Sequence, residues 1–264
     1  MACSLDTQNH EDKIFDPFYE DISNISTTHS HFEYIRKQCN LYRPNDLKLN
    51  DLTNLENSMS ILHMNARSIV NKFDEISTFI ALHEHKWTYI CISETWLTPN
   101  IESMFSIEHY QLYCKSRVHK SGGGSAIFAL QNYKMNIKEM SIVEFKTADV
   151  VTLKVTNAIN QTYLICQMYK PPDNNPEFLI ELEEFLSKIN ALNIVTYITG
   201  DFNIYLFSIT SNSFNESFFT CMCSYGFLPT ISKATRVTQT SSTLIDNIFC
   251  NDISRVTSTG IITT

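Results

Sequence analysis

From about residue 58 onward, hydrophobic and polar positions follow the patterns of strands and helices. Short apolar runs bounded by polar residues or glycine predict buried strands at 58–65, 87–93, 193–199 and 243–250, and at 121–130 a glycine loop enters another. Three further segments, 135–145, 150–155 and 162–169, alternate apolar and polar residues, which predicts antiparallel strands.

Other segments repeat apolar residues at helical spacing. Residues 73–82 carry such a stripe, and a second helix is expected to begin at Pro176 within 171–192. A third helix is expected over 214–226, closed by Gly226. Helices separated by runs of antiparallel strands favour an α/β (α+β) sandwich.

The polar N-terminal stretch contrasts with this region. Residues 1–57 lack a clear period, although a short helix could form at 28–39, and we expect a leader that is partly ordered at best. Residues 58–264 are expected to form the globular domain. The leader carries a net charge of −5 out of −8 for the whole chain, so the near-neutral domain can still carry a local basic groove.

Composition narrows the class of protein. A chain that is 43% hydrophobic and 18% charged is globular, and no apolar run approaches the ~20 residues of a membrane helix. The N-terminus lacks the pattern of a signal peptide, and the eight cysteines form no CxxC pair. We expect an intracellular protein, located in the nucleus, that is not secreted and has no membrane contact. The sequence predicts no protein partner.

Candidate chemistry lies where apolar strands end. The polar residues at these ends are Asn65, Glu94, Tyr169, Asp201, Asn203 and Asp246. Glu94 and Asp201 could hold a hard divalent cation, and Tyr169 could donate a hydrogen bond to a developing oxyanion. Taken singly, each has an ordinary alternative: Asp-x-Asn is common turn chemistry, and a lone carboxylate can serve a helix N-terminus or the structure.

The order of these residues and the sequence motifs around them resemble those of a known protein family. The matching words are HMNARSIVNKFDEI (63–76), ISETWLTPNI (92–101), GGGSAIF (122–128), MYKPP (168–172), ITGDFNI (198–204) and SSTLIDNIFCN (241–251). Together they resemble the endonuclease domain of jockey-like non-LTR retrotransposons, within the endonuclease/exonuclease/phosphatase superfamily. SETWL and TGDFN are the specific words, whereas the glycine run alone is not.

The resemblance implies a four-layer sandwich, with two mainly antiparallel sheets face to face and helices outside. It also implies Mg²⁺-dependent hydrolysis of a DNA phosphodiester, with Mn²⁺ as an alternative metal. Glu94 would match the metal carboxylate, with Asn65 beside it in the metal and phosphate shell. Tyr169 would match a tyrosine that contacts the scissile phosphate.

The remaining matches concern the water, the phosphate and the DNA. Asp201 would orient or deprotonate the attacking water, and Asn203 would bind the phosphate. Asp246 would match the carboxylate that hydrogen-bonds a catalytic histidine. Thr235 and Arg236 stand where the family carries a Thr-Arg pair near the DNA.

The chain also departs from the family pattern. The Ser-Asp-His motif that supplies the catalytic histidine in the family does not occur in the 264 residues. We therefore expect a sandwich without its C-terminal strand and a protein that nicks DNA poorly. Lys170, Ala234 and Tyr205 replace the usual Arg, Pro and carboxylate of neighbouring words. Two alternatives stay open: a phosphatase or phosphodiesterase of the same superfamily, and a non-catalytic remnant.

Four other features have ordinary interpretations. The His-x-His pairs at 29/31 and 83/85 lack a third ligand, and the cysteines in Cys221-Met222-Cys223 are expected to pack. The glycines at 122–124 could cradle a phosphate, but a hairpin turn is the preferred interpretation. Trp96 is expected to be a core anchor that fixes the strand end at Glu94.

Overall fold

The computed structural model describes residues 39–43, 59–82, 86–117, 122–131, 135–210, 212–238 and 240–263. The strands are β1 Cys39–Tyr42, β2 Ile61–Asn65, β3 Tyr89–Ser93, β4 Tyr110–Lys115, β5 Ser125–Leu130, β6 Asn136–Glu139, β7 Asp149–Thr156, β8 Thr162–Tyr169, β9 Val195–Asp201, β10 Leu228–Pro229, β11 Arg236–Val237, β12 Ser242–Thr243, β13 Asp246–Cys250 and β14 Thr259–Ile262. The helices are α1 Ile69–Leu82, α2 Pro176–Leu192 and α3 Ser213–Ser224, with 3₁₀ turns at Glu102–Met104, Leu206–Ser208 and Ile253–Arg255.

Two large sheets form the centre of the molecule. One has the strand order β2-β3-β5-β4, and the other has the order β10-β13-β9-β8-β7-β6. The pairs β2–β3 and β8–β9 are parallel, and the other neighbours in these two sheets are antiparallel. The expected pair of mainly antiparallel sheets is therefore confirmed.

Three hydrophobic clusters place the layers. Between the sheets, residues such as Tyr89 and Ile127 pack against Leu153 and Ile165. The outer face of the first sheet packs against α1, and the outer face of the second packs against α2 and α3. This arrangement is the four-layer α/β sandwich that the sequence predicted.

The helices begin and end at recognisable signals. The side chain of Asn175 accepts a hydrogen bond from the amide of Glu177, Pro176 occupies the first turn of α2, and Asn193 ends the helix in the left-handed conformation. Asn212 caps α3 in the same way as Asn175 caps α2. None of the described helices is long and apolar enough to cross a membrane.

Helix α1 begins at Ile69, four residues before the predicted start. The amides of Ser68 and Ile69 donate to the carbonyls of Glu94 and Thr95, at 2.8 and 3.0 Å. Ile69 is fully buried against the first sheet. These contacts with a distant segment extend the helix beyond its own apolar stripe.

Some boundaries differ from the prediction for tertiary reasons. Only residues 136–139 of the predicted strand 135–145 pair with β7, and β4 was not predicted because its burial is partial. Residues 39–42, within the expected leader, form β1 and pair in parallel with β14. The rest of the helix predicted at 28–39 lies outside the described residues, and the domain boundary at 58 stays a prediction.

Candidate active site

Three predicted site residues lie in one row across the second sheet. Tyr169 on β8 pairs with Asp201 on β9, and Asp201 pairs with Asp246 on β13. Because side chains at paired positions of neighbouring strands point to the same face, the three groups are adjacent. Asp149 on β7 pairs with Tyr169 and extends the row by one residue.

Asn65 joins this row to the first sheet. It is the last residue of β2, and Glu94 directly follows β3, its parallel neighbour. The Nδ2 amide of Asn65 donates to Oε1 of Glu94 at 2.7 Å and to Oδ2 of Asp201 at 2.6 Å. Its Oδ1 accepts a bond from the amide of Arg67 at 3.0 Å, which fixes the orientation of the side-chain amide. Two carboxylates from different sheets thus meet at one nitrogen.

The paired aspartates Asp201 and Asp246 are electrostatically unfavourable neighbours. Burial, and then the charge of Asp246, raise the pKa of Asp201 to about 7. Burial likewise raises the pKa of Asp246 to about 6, although Thr235 and Arg236 oppose that shift. The pair therefore favours a proton or a cation between or beside the carboxyl groups.

Asp246 has one satisfied and one unsatisfied oxygen. The hydroxyl of Thr235 donates to Oδ2 at 2.9 Å. Oδ1 is buried and accepts no hydrogen bond from any residue in the described ranges. A buried acceptor without a donor is costly, so this oxygen faces a position where an N–H, O–H or cation would be stabilised.

The carboxylates of this site are suitable ligands for Mg²⁺, but they are few. Among the described residues, no group of three or more His, Cys, Asp or Glu side chains is arranged to hold a metal ion. Mg²⁺, however, commonly binds one or two carboxylates and completes its octahedron with water and substrate oxygens. Glu94 and Asp201 fit that pattern, because both converge on Asn65 at the cleft floor.

Asn65 presents nitrogen rather than oxygen to the two carboxylates. Mg²⁺ prefers oxygen ligands, so direct coordination by Asn65 would require its amide to rotate. In the described orientation Asn65 spaces the carboxylates apart. Its role as a metal ligand stays a prediction.

Tyr169 is held by a cation and is protonated at neutral pH. The guanidinium of Arg117 lies 5.7 Å from the centre of the Tyr169 ring. Arg117 is anchored in turn by Asp149, with both Nε and Nη2 at 2.7 Å from Oδ2. Burial raises the pKa of Tyr169 to about 12, so its phenol remains a hydrogen-bond donor.

A polar network lies beneath the row, and the sequence prediction missed it. The Oγ of Ser93 accepts from Nε2 of Gln167 at 2.7 Å and from the amide of Asp201 at 3.2 Å, and it lies 3.2 Å from Nε2 of His63. Thr199 donates to Oε1 of Gln167, which fixes the orientation of that amide. The available signal was a single polar residue inside each apolar run, such as Ser93 in YICIS and Gln167 in LICQM.

Asn203, Thr235 and Arg236 lie around the same site. Asn203 has φ +49, its amide donates to Oδ1 of Asp201 at 3.0 Å, and its Nδ2 donates to the carbonyl of Lys170 at 2.7 Å. Thr235 positions Asp246, and Arg236 is exposed on β11. All eight predicted site residues are among those that line one large cavity, which also extends to the opposite ends of the strands.

Several predictions outside these eight residues have a definite outcome. Trp96 is 43% exposed, so its prediction as a core anchor is wrong, because the chain at this point turns the indole away from the core. The glycines 122–124 lie in the connection between the antiparallel strands β4 and β5, as the hairpin interpretation predicts. Cys221 and Cys223 on α3 pack against the core. The His-x-His pairs lie outside the described residues.

Lys170 departs from the family pattern and serves a structural purpose. Its side chain is fully buried, and Nζ donates to the carbonyl of Pro171 at 2.8 Å and to the carbonyl of Asp173. Nζ also lies 5.1 Å from the centre of the Phe214 ring. Burial lowers the pKa of Lys170. This ammonium stabilises the connection between β8 and α2, and it also interacts electrostatically with Asp201.

Comparison of the sequence with protein-family models and with curated proteins gives no match. Solved structures do match in fold. The AP endonuclease LMAP from Leishmania major is 10% identical, with a TM-score of 0.62 over 88% of this chain and 89% of that chain. The catalytic domain of APE2 from Xenopus laevis is 16% identical, with a TM-score of 0.56 over 73% and 82%.

The endonuclease domain of TRAS1, a telomere-specific non-LTR retrotransposon, is 12% identical, with a TM-score of 0.53 over 74% of this chain and 85% of that chain. At these identities the similarity shows the fold. The chain has the endonuclease/exonuclease/phosphatase fold, as the resemblance in the sequence implied.

Proposed function

We propose that this chain, which has the endonuclease/exonuclease/phosphatase fold, is a Mg²⁺-dependent DNA endonuclease domain of a non-LTR retroelement. It would nick target DNA by hydrolysing one phosphodiester bond. The observation that carries the proposal is the double hydrogen bond of Asn65, which brings Glu94 and Asp201 together from two different sheets. A purely structural carboxylate would not require this convergence at an open cleft.

Glu94 and Asp201 would hold the metal, with Mn²⁺ as an alternative to Mg²⁺. When bound, the metal would neutralise charge on the phosphate and make the phosphorus more susceptible to attack. Protein oxygens and water would complete its coordination. The aspartate pair supports this assignment, because burial and then repulsion by Asp246 raise the pKa of Asp201, and a bound cation would offset both effects.

Residues of the row would carry out the remaining steps of the hydrolysis. A water molecule attacks the phosphorus while Asp201 accepts its proton; the bond from phosphorus to the leaving oxygen breaks, and that oxygen takes a proton from solvent. With the cation bound, Asp201 would be unprotonated at neutral pH, as a group that accepts a proton must be. The phenol of Tyr169 would donate to a phosphate oxygen, and Asn203, whose backbone amide donates to Oδ1 of Asp201, would bind the phosphate.

Asp246 would act on the phosphate through a neighbouring donor. Its unsatisfied Oδ1 is an acceptor for the ring N–H of a histidine, which is the partner that the resemblance implies. Asp246 itself would repel the phosphate. It is therefore assigned a positioning role.

The positive charge at the edge of the cleft favours a substrate with an extended phosphate backbone. The exposed side chains of Arg67 and Arg236 line the cavity and supply positive charge for a phosphate backbone. These features support DNA over the small phosphate esters of the alternative phosphatase function. The retroelement context rests on the specific words SETWL and TGDFN, and the fold shared with the TRAS1 domain is consistent with it.

The test is the nicking of a supercoiled plasmid with Mg²⁺, in the presence and absence of added imidazole. We expect slow, Mg²⁺-dependent nicking, and we expect imidazole to accelerate it. Glu94→Gln and Asp201→Asn should each abolish the nicking. Asp74→Asn is the matched control, because it makes the same chemical change on an exposed helix face. Absence of nicking in both buffers, or nicking that survives Asp201→Asn, would contradict the proposal. Hydrolysis of a phosphomonoester under those conditions would favour the phosphatase alternative.

A further inference from the structure

Trp96 is an exposed aromatic residue in a segment that is otherwise buried. Its neighbours Thr95 and Leu97 are 0% and 1% exposed, whereas Trp96 is 43% exposed. Within the described ranges, every other Phe, Tyr and Trp side chain is buried or half-buried. Exposure of this one large ring therefore needs a local explanation.

The backbone holds Trp96 in this position by a set of long-range hydrogen bonds. Glu94 and Trp96 both adopt left-handed φ values, +54 and +55, which are uncommon for residues with a Cβ. The amide of Trp96 donates to the carbonyl of Gly123 at 2.9 Å, and the amide of Thr95 donates to the carbonyl of Gly124 at 3.4 Å. On the other side, the start of α1 binds the carbonyls of Glu94 and Thr95. The same fixed turn thus presents the carboxylate of Glu94 and the indole of Trp96.

The glycine run supports the indole. All three glycines at 122–124 have positive φ, from +76 to +88. A Cβ on Gly122 would lie 3.7 Å from Nε1 of Trp96, and a Cβ on Gly123 would collide with the guanidinium of Arg117. The indole therefore lies beside the backbone at Gly122, within van der Waals reach of a Cβ there, and the ring also lines the open cleft.

We propose that Trp96 stacks on a nucleobase of DNA bound in the cleft. This inference rests on the proposed nuclease function. It specifies nucleic acid, rather than a small phosphate ester, as the substrate that the site recognises. Trp96 lines the same cavity as Glu94 and Asp201, two positions along the chain from the metal carboxylate. A rigid aromatic face is the group that binds a base without reading its sequence. Trp96 would bind a base beside the scissile phosphate and take no part in the chemistry.

The chain offers a direct optical test, because it contains only two tryptophans. Trp87 is 8% exposed, so a change of tryptophan fluorescence caused by a stacked base reports on Trp96. The full chain in EDTA is titrated with a fluorescein-labelled DNA duplex for anisotropy, and with the unlabelled duplex for tryptophan fluorescence. Inorganic polyphosphate serves as a probe that carries the charge but no bases.

We expect DNA to quench the wild-type fluorescence, and polyphosphate to leave it unchanged. Trp96→Phe should lose the quenching but keep an affinity close to the wild type, because phenylalanine also offers an aromatic face. Trp96→Ala should weaken DNA binding by about 5- to 150-fold, the range expected for loss of one base–aromatic stack. Met104→Ala, at a side chain that is 71% exposed, is the control and should change neither signal.

Four outcomes separate the possibilities. DNA binding without quenching, or equal binding by Trp96→Ala of unchanged urea midpoint, would overturn the stacking role and leave the nuclease proposal intact. Quenching by polyphosphate equal to that by DNA would also overturn it. Absence of DNA binding to the wild-type chain would overturn the proposed nuclease function and, with it, this inference. If Trp96→Ala has a lowered urea midpoint, Trp96→Phe and the wild type decide by the quenching alone.

Discussion

Asp246 on β13 lies directly opposite Asp201 on β9, at the end of the sheet where the first sheet contributes Glu94 through Asn65. Asp201 is 1% exposed, and the negative charge of Asp246 adds to the effect of burial on its pKa. The cleft therefore concentrates negative charge where, on the proposed function, a phosphodiester substrate would bring further negative charge. A bound cation would relieve both repulsions. The number of protons released when a metal binds therefore reports on the proposed site.

Binding of Mg²⁺ should release a proton from the aspartate pair near neutral pH. Because burial raises the pKa of Asp201 to about 7, the metal must displace about one proton at pH 6.5 and almost none at pH 8.5. Calorimetry in two buffers of different ionisation enthalpy measures the number released. Asp246→Asn should shift the release to lower pH, since it removes the repelling charge. An affinity that stays constant from pH 5.5 to 8.5 would be inconsistent with the site.

Removal of the bridge between the sheets should destabilise the metal-free protein. Asn65→Leu leaves two carboxylates without their shared donor, and we expect a loss of about 1–3 kcal/mol in the free energy of unfolding. Urea denaturation in EDTA measures this loss. Asn190→Leu makes the same change at an exposed position on α2 and should cost little. Equal stability of the two variants would show that the bridge contributes nothing.

Imidazole should partly replace the donor that Asp246 lacks. Its Oδ1 is buried without a hydrogen-bond donor among the described residues, and a small imidazole carries the N–H that this oxygen accepts. We expect millimolar imidazole to raise the plasmid-nicking rate of the wild type several-fold, well below the ~10²–10⁴ of a positioned acid–base group.

The effect of imidazole should require Asp246. Asp246→Asn should show no acceleration, while the control Asp74→Asn should behave like the wild type. Equal acceleration of the wild type and Asp246→Asn would mean that imidazole acts as a solution base and that Oδ1 does not bind it.

His63 should make the stability of the metal-free protein depend on pH. Both lone pairs of the Ser93 hydroxyl are engaged by Gln167 and by the amide of Asp201, so the hydroxyl proton points to Nε2 of His63 and requires a neutral ring. Burial lowers the pKa of His63 to about 3, below the 6.5 of the unfolded chain. The unfolded state therefore binds the proton first, and stability is lost as the pH falls below about 6.5.

The measurement compares the wild type with His63→Gln, whose carbonyl can accept the same hydrogen bond but cannot titrate. Relative to pH 8, the wild type should lose up to about 2 kcal/mol more than the variant by pH 5. Contributions of the aspartate pair, which have the opposite sign because their folded pKa values are raised, cancel in this difference. Parallel stability curves for the two proteins would show that His63 titrates normally.

The sequence by itself indicated the polar residues at strand ends and the layer architecture. Apolar runs mark strands locally, and a polar residue at the end of a run, such as Asp201 after 193–199, is visible without knowledge of the fold. The helical stripes of α2 and α3 and their Asn and Pro signals are also local. All eight predicted site residues line one cavity, because strand ends of a sandwich gather at a common edge.

Only the tertiary structure decided which of these groups meet and how. The row of Tyr169, Asp201 and Asp246 depends on β13 lying beside β9, a long-range pairing that no local period encodes. The left-handed turn at Glu94 and Trp96 is set by carbonyls of a distant glycine run, so the sequence placed Trp96 in the core when it lies in the cleft. The local pattern of apolar and polar residues indicates only how much of a side chain can be buried. The direction in which an ambiguous aromatic residue points is fixed by hydrogen bonds from elsewhere in the chain.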